Sequence, residues 1–192
     1  MVTGTESVGG LVGVNYGDGT IARCYAICTV QADGSGGGLV GENLGLPFWL
    51  GDGSTWVAVV SDCYSIVLGD SRVSGLLVGK NGRHPSIITN CYASCEGSEM
   101  VEASGMVGEN VYGEVLNCFW DADACGLADS TEGGTPKTTA DMQSASTFLD
   151  AGWDFVDESA NGTEDIWWIL DGQDYPRLWW ERVQSDGETA GQ

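Results

Sequence analysis

GGLVGVN at residues 9–15 returns as GGLVGEN at 37–43, as LLVGKN at 76–81 and as GMVGEN at 105–110. Each copy is followed by a cysteine and an aromatic residue: Cys24-Tyr25, Cys63-Tyr64, Cys91-Tyr92 and Cys118-Phe119. Gly13 and Gly41 are 28 residues apart, Gly41 and Gly79 are 38 apart, and Gly79 and Gly108 are 29 apart. The surplus in the second interval lies between Gly41 and Cys63, which places an insertion around residues 46–56. A repeat of this length, made of short Val/Ile runs and Gly turns, is too rich in glycine for a helix pair. It fits one coil of a parallel β-solenoid, where each coil buries its apolar face only by stacking on its neighbours. The expected fold class is therefore all-β: a parallel β-solenoid (β-helix) of about four coils, with a small α+β cap at the C-terminal end.

Stacked coils bring equivalent residues to sheet spacing, about 4.8 Å, so repeated residues become columns. Strand alternation around the cysteines gives one parity of Ala22, Cys24, Ala26 and Cys28 and another of Arg23, Tyr25 and Ile27. The second parity carries Asp62 and Asn90 in later copies, which cannot form a buried column without partners. The cysteine face is thus expected inside, with Tyr25, Tyr64, Tyr92 and Phe119 stacked outside. Asn15, Asn43, Asn81 and Asn110 are expected to form an amide ladder at a corner.

The G-L-V-G-x-N string followed by Cys-Tyr-Ala resembles the GLUG repeat of bacterial adhesins, large surface proteins and immunoglobulin A1-cleaving metallopeptidases. The resemblance covers roughly residues 9–120, with Leu76 standing where glycine is expected. FWD at 119–121, TTADMQSASTFLDAGWDF at 138–155 and IWWILDGQDYPRLWWE at 166–181 are similar to the module that follows such repeats in large secreted proteins. The resemblance implies an exported, surface-associated scaffold or adhesive segment. It implies no catalysis, because in the peptidases the repeats lie outside the catalytic domain.

Charge supports that setting. Seven Lys and Arg against 28 Asp and Glu leave a formal net charge of −21. Such a surface repels nucleic-acid phosphates and anionic lipid, and divalent cations remain as partners. No apolar run reaches the ~20 residues of a membrane helix, and no signal peptide opens the chain, so it reads as a piece of a larger protein, for which the resemblance implies an extracellular or cell-surface location. Only eight residues precede the first coil, an edge open to end-to-end self-association or to neighbouring domains of the parent chain.

The expected organisation is a solenoid over 1–128, a capping module over 129–182 and a polar tail over 183–192. In the module, Thr138 caps a helix over 139–150 with Met142, Ala145, Phe148 and Leu149 on its apolar stripe. Trp153–Phe155, Ile166–Leu170 and Arg177–Trp180 read as short strands. Trp167, Trp168, Trp179 and Trp180 are read as cap core, or else as a sugar-stacking platform that at most half of them could share.

Candidate chemistry is sparse. The seven cysteines are expected to be reduced thiols acting as small hydrophobes, since Cys28 and Cys95 fall two coils apart, beyond disulfide reach. His84 is the only histidine, which removes HExxH chemistry and leaves no expectation of an enzyme. Asp121, Asp123, Asp129 and Glu132 occupy ligand positions of an EF-hand-like calcium loop, though Cys125 breaks it, and an acidic turn is the plainer reading. The leading function is a non-catalytic structural or adhesive repeat segment that meets a surface glycan or a protein of a host or neighbouring cell. The alternatives are a carbohydrate-binding module using Tyr25, Tyr64, Tyr92, Trp49 and Trp56, and a polysaccharide-degrading solenoid.

Overall fold

The computed structural model describes residues 1–46, 55–82, 85–97, 103–130 and 132–182. The chain divides into two compact units, Met1–Met142 and Gln143–Gln192.

Three parallel sheets carry the first unit. Each pass of the chain contributes one strand to each, in the same order. The first sheet holds the motif strands Val12–Tyr16, Val40–Leu44, Val78–Gly82 and Val107–Val111. The second holds Thr20–Ala22, Ala58–Ser61, Ser86–Thr89 and Glu114–Leu116. The third holds Tyr25–Cys28, Tyr64–Leu68, Tyr92–Glu96 and Phe119–Asp121, with Thr135–Lys137 added beside the last. Register follows the repeat without slippage. Val12, Val40, Val78 and Val107 are paired, as are Asn15, Asn43, Asn81 and Asn110. Sequence neighbours thus lie in different sheets, and each strand bonds to its equivalent one repeat away. This arrangement of parallel sheets is consistent with a β-solenoid.

Glycine is demanded where coils touch. A Cβ on Gly37 would sit 1.9 Å from the Val40 carbonyl oxygen and 2.6 Å from the Gly79 nitrogen, so backbone itself forbids a side chain. Inside, Leu39, Val40, Val60, Leu76, Leu77, Val78, Ile88, Met106 and Val107 form the core with Cys63, Cys91 and Cys118.

The cysteine-aromatic strand is not continuous with the residues before it. Arg23, Asp62, Asn90 and Asn117 each adopt left-handed backbone, with φ of 53°, 53°, 51° and 52°. They turn the chain from the second sheet into the third, so alternation restarts at the cysteine. Ala26, Val67, Ala93 and Trp120 then face the core. The tyrosines lie outside that hydrophobic cluster, but they are not exposed: Tyr64 and Tyr92 are fully buried and Tyr25 half-buried. Face-to-face stacking explains much of this correction. Ring centroids are 4.8 Å apart for Tyr25–Tyr64 and 4.9 Å for Tyr64–Tyr92, both 5° from parallel, so Tyr64 has both faces covered.

The helix expected over 139–150 is two helices, Thr139–Met142 and Ala145–Leu149, and the boundary between units falls in the break. Thr138 Oγ1 accepts from the Asp141 N–H at 3.1 Å and donates to the Asp141 carboxylate at 2.8 Å. The second helix starts afresh because Ser144 is extended and Asp171 Oδ1 accepts from the Ala145 N–H at 2.8 Å.

The second unit is built on aromatics. Phe148 and Trp153 lie 4.8 Å apart by centroid and Trp153 and Trp167 lie 4.7 Å apart, all three buried. Trp167–Trp168 pairs antiparallel with Arg177–Leu178, and Phe155 bridges to Trp167. Trp179–Glu181 is a 3-10 turn rather than strand, so Trp179 and Trp180 both face solvent instead of alternating.

Candidate functional site

Most residues singled out by their repetition are spent on the fold. In the asparagine column, Asn15 Nδ2 donates to Asn43 Oδ1 at 2.8 Å, Asn43 to Asn81 at 2.9 Å, and Asn81 to Asn110 at 3.2 Å. The last member closes locally, its Nδ2 donating to the Gly113 carbonyl at 3.1 Å. A buried amide ladder of this kind pairs donor with acceptor at every step and leaves no face for a ligand.

Cys24, Cys63, Cys91 and Cys118 stand in one column as free thiols, each just ahead of a member of the aromatic stack. Cys63, Cys91 and Cys118 are buried, and Cys24, at the first strand, is half-exposed. Cys63 Sγ accepts from the Cys24 N–H at 3.4 Å. The Cys24 thiol, then the Cys91 thiol, hydrogen-bond toward Cys63 and pull its pKa down, and that contact pushes Cys24 up. Burial pushes Cys91 up.

Cys28 is also free, but Cys95 is not. Cys95 and Cys125 form a disulfide with Cα atoms 5.0 Å apart, correcting the expectation of reduced thiols throughout. Cys28 and Cys95 are indeed separated by the Val67 strand. The partner comes instead from the short helix Ala122–Cys125, which lies outside the repeat.

The four acidic residues of the loop are turned to separate partners. Asp121 is buried and caps that helix, its Oδ1 accepting from the Ala124 N–H at 2.8 Å and from Thr139 Oγ1 at 3.0 Å. Asp123 accepts from the Thr139 N–H at 3.2 Å, and Asp129 from the Ser130 N–H at 2.8 Å. Glu132 accepts from the Asn110 N–H at 2.8 Å. Among the described residues no three His, Cys, Asp or Glu side chains converge on one point.

The aromatic candidates fare unequally. Tyr64 and Tyr92 offer no ring face. Trp56 is 38% exposed beside Gly17, next to the exposed Tyr16, and its strand position pairs with Leu46. Trp49 and His84 lie outside the described residues.

Two concavities lie in the second unit. A cleft of about 540 Å³ is lined by Val156, Glu164, Asp165, Trp179, Trp180 and Arg182. A cavity of about 340 Å³ shares Val156 and Arg182 with it and adds Leu149, Phe155, Glu158, Trp168 and Ile169. Glu158 Oε2 accepts from the Ala160 N–H at 2.6 Å and the Asn161 N–H at 3.1 Å. Its Oε1 and Trp168 Nε1 are cut off from solvent without a hydrogen-bond partner. The tryptophans were visible in sequence. Glu158 and Arg182 were not, because they come from loops and chain ends that carry no periodicity.

In-register parallel strands and ladders of repeated residues define a β-rich repeat protein. Residues 4–31 match the family described as the GLUG motif. A protein of Evansella cellulosilytica described as a Gly-rich membrane protein is 37% identical over 108 residues, 53% of this chain and 11% of that relative. Both findings are consistent with a GLUG repeat protein. The chain therefore spans about a tenth of the length of the relative it matches. No solved structure matches it. Among the described residues no helix is long and apolar enough to cross a membrane.

Proposed function

We propose that this chain is a non-catalytic, extracellular structural and adhesive segment of a larger bacterial surface protein: four coils of β-solenoid followed by a small C-terminal module. The observation that carries the reading is the unbroken register of the repeat. The asparagine and aromatic columns run through every motif copy, so the repeated side chains are committed to one another. That is what a rigid spacer needs, and it leaves variable outward positions such as Val14, Glu42, Lys80 and Glu109, which share one row, for contact. The excess of carboxylates keeps such a rod soluble outside the cell.

Adhesion is tested by adding purified chain as a competitor to cells that display the parent protein. Attachment to their natural surface should fall with dose. Undiminished attachment at saturating chain would refute the adhesive part, and release of new reducing ends from polysaccharide would refute the non-catalytic part.

A further inference from the structure

The cysteine column begins at solvent, and its outermost pair has the spacing and the chemistry of a ligand set. We propose that Cys24 and Cys63 hold one soft, linearly coordinated cation of the class of monovalent copper between their sulfurs.

Geometry argues first. Cys24 and Cys63 each stand one residue ahead of the paired Tyr25 and Tyr64, so they lie opposite one another on adjacent parallel strands. All four thiols of the column share one orientation. Cys24, Cys63, Cys91 and Cys118 donate to the carbonyls of Ala22, Ser61, Thr89 and Leu116, each two residues back, at 3.1, 3.0, 3.1 and 3.2 Å. Like-oriented sulfurs on neighbouring strands repeat at the strand spacing, about 4.8 Å. Two metal–thiolate bonds of about 2.3 Å laid end to end span about 4.6 Å, so an ion fits between the sulfurs with little movement of either strand. A disulfide would instead have to close them to about 2.05 Å while the Cβ atoms point the same way. Access argues second. Tyr25–Cys28 is the outermost strand of the third sheet, and Cys24, just ahead of it, is half-exposed while Cys63, Cys91 and Cys118 are buried. Only the first gap in the column is therefore open to an ion from solvent.

The donor set selects the ion. It offers two thiols, and among the described residues no third His, Cys, Asp or Glu side chain converges with them. Calcium takes about six to eight oxygens and structural zinc takes four ligands, so neither is served. Thiolates favour monovalent copper, whose filled d shell accepts two ligands in line. Binding exchanges protons for metal: two Cu–S bonds form, both S–H bonds break, two protons pass to solvent and the copper keeps its oxidation state. The Cys24 N–H, which donates to Cys63 Sγ at 3.4 Å, remains to support the metal-bound thiolate. The net charge of −21 draws cations to the chain. Cys28, the other half-exposed free thiol, is paired across the strands with Val67 rather than with a cysteine, which makes it an internal control.

The test is anaerobic titration of the full chain with Cu(I), kept reduced by ascorbate and buffered by bicinchoninate, followed by X-ray absorption of the loaded protein. The expected result is one Cu(I) per chain, bound tighter than about 1 nM, with two sulfur neighbours. Altering groups that only support a metal ligand already costs about 10–100-fold, so Cys24→Ser and Cys63→Ser should each weaken binding at least about a hundredfold. Cys28→Ser should leave it unchanged. Cys24→Ser alters a half-exposed residue and should keep the melting temperature of the parent chain, so the test stands even where Cys63→Ser, a core substitution, fails to fold. Four outcomes overturn the proposal: binding weaker than about 1 nM, binding untouched by Cys24→Ser, an equal loss in Cys28→Ser, or three or more sulfurs around the copper.

Discussion

Asn43 Nδ2 donates to Asn81 Oδ1 at 2.9 Å across 38 residues of sequence, the longest interval between motif copies. The insertion at residues 46–56 lengthens the chain between these two residues without disturbing the ladder. Surface loops can grow at small entropic cost when the strands on either side keep their partners. The repeat therefore sets the register, whatever the length of chain between its copies.

Asn43 is fully buried and stands in the middle of the ladder, accepting from Asn15 and donating to Asn81. Asn43→Ala orphans a donor on one side and an acceptor on the other. The expected loss is about 2–4 kcal/mol, read by chemical denaturation. Asn110→Ala, at the end of the column, should cost less.

Asp62 occupies the left-handed corner that Asn90 and Asn117 occupy in later repeats, and Asn90 Nδ2 donates to its Oδ1 at 3.4 Å. Burial, partly offset by that hydrogen bond, raises its pKa above 3.8. Folding therefore favours the protonated acid, and the ionised form is a burden above the folded pKa. That burden is relieved as pH falls through the folded pKa, and no difference accrues once pH is below 3.8, where both states are protonated. Asp62→Asn should accordingly raise the melting temperature at pH 7 by a few degrees, roughly 1–3 °C. The gain should shrink as thermal scans are taken toward pH 3 to 4, about the range of an ordinary aspartate.

The disulfide ties the third repeat to the helix after the fourth, closing 30 residues of chain. Cys125→Ser should lower stability by about 2–4 kcal/mol. Reduction of the parent chain should reproduce the loss, and should leave the Cys125→Ser variant unchanged. Mass spectrometry under native conditions should find one disulfide and five free thiols.

What could be read from sequence was whatever repeats. Val12, Asn15 and Tyr25 recur at fixed offsets, and in stacked parallel strands contacts form between just such equivalent residues, so columns follow from spacing alone. What could not be read depends on single bends. Arg23 in the first copy does not announce a left-handed corner, so alternation read from sequence runs the strand through it and puts the tyrosines in solvent. Cys125 sits on a one-turn helix outside the repeat, so its pairing with Cys95 has no periodic signal. Trp179 and Trp180 look like strand residues, but a 3-10 turn puts both outside. Of the concavities in the second unit only the tryptophans were legible. Glu158 and Trp168 are ten residues apart on unrelated segments, and only the folded unit brings them to one cavity.

The parallel stack itself is open to solution NMR of isotopically labelled chain. The Tyr64 N–H donates to the Cys24 carbonyl at 3.1 Å, the Tyr92 N–H to that of Cys63 at 3.1 Å, and the Phe119 N–H to that of Cys91 at 3.0 Å. Through-hydrogen-bond couplings from each of these amide nitrogens should therefore reach the carbonyl carbon of the cysteine in the preceding repeat. Couplings that instead join sequence-adjacent strands in antiparallel hairpins, or amides of the three aromatic residues that exchange as freely as exposed coil, would contradict it.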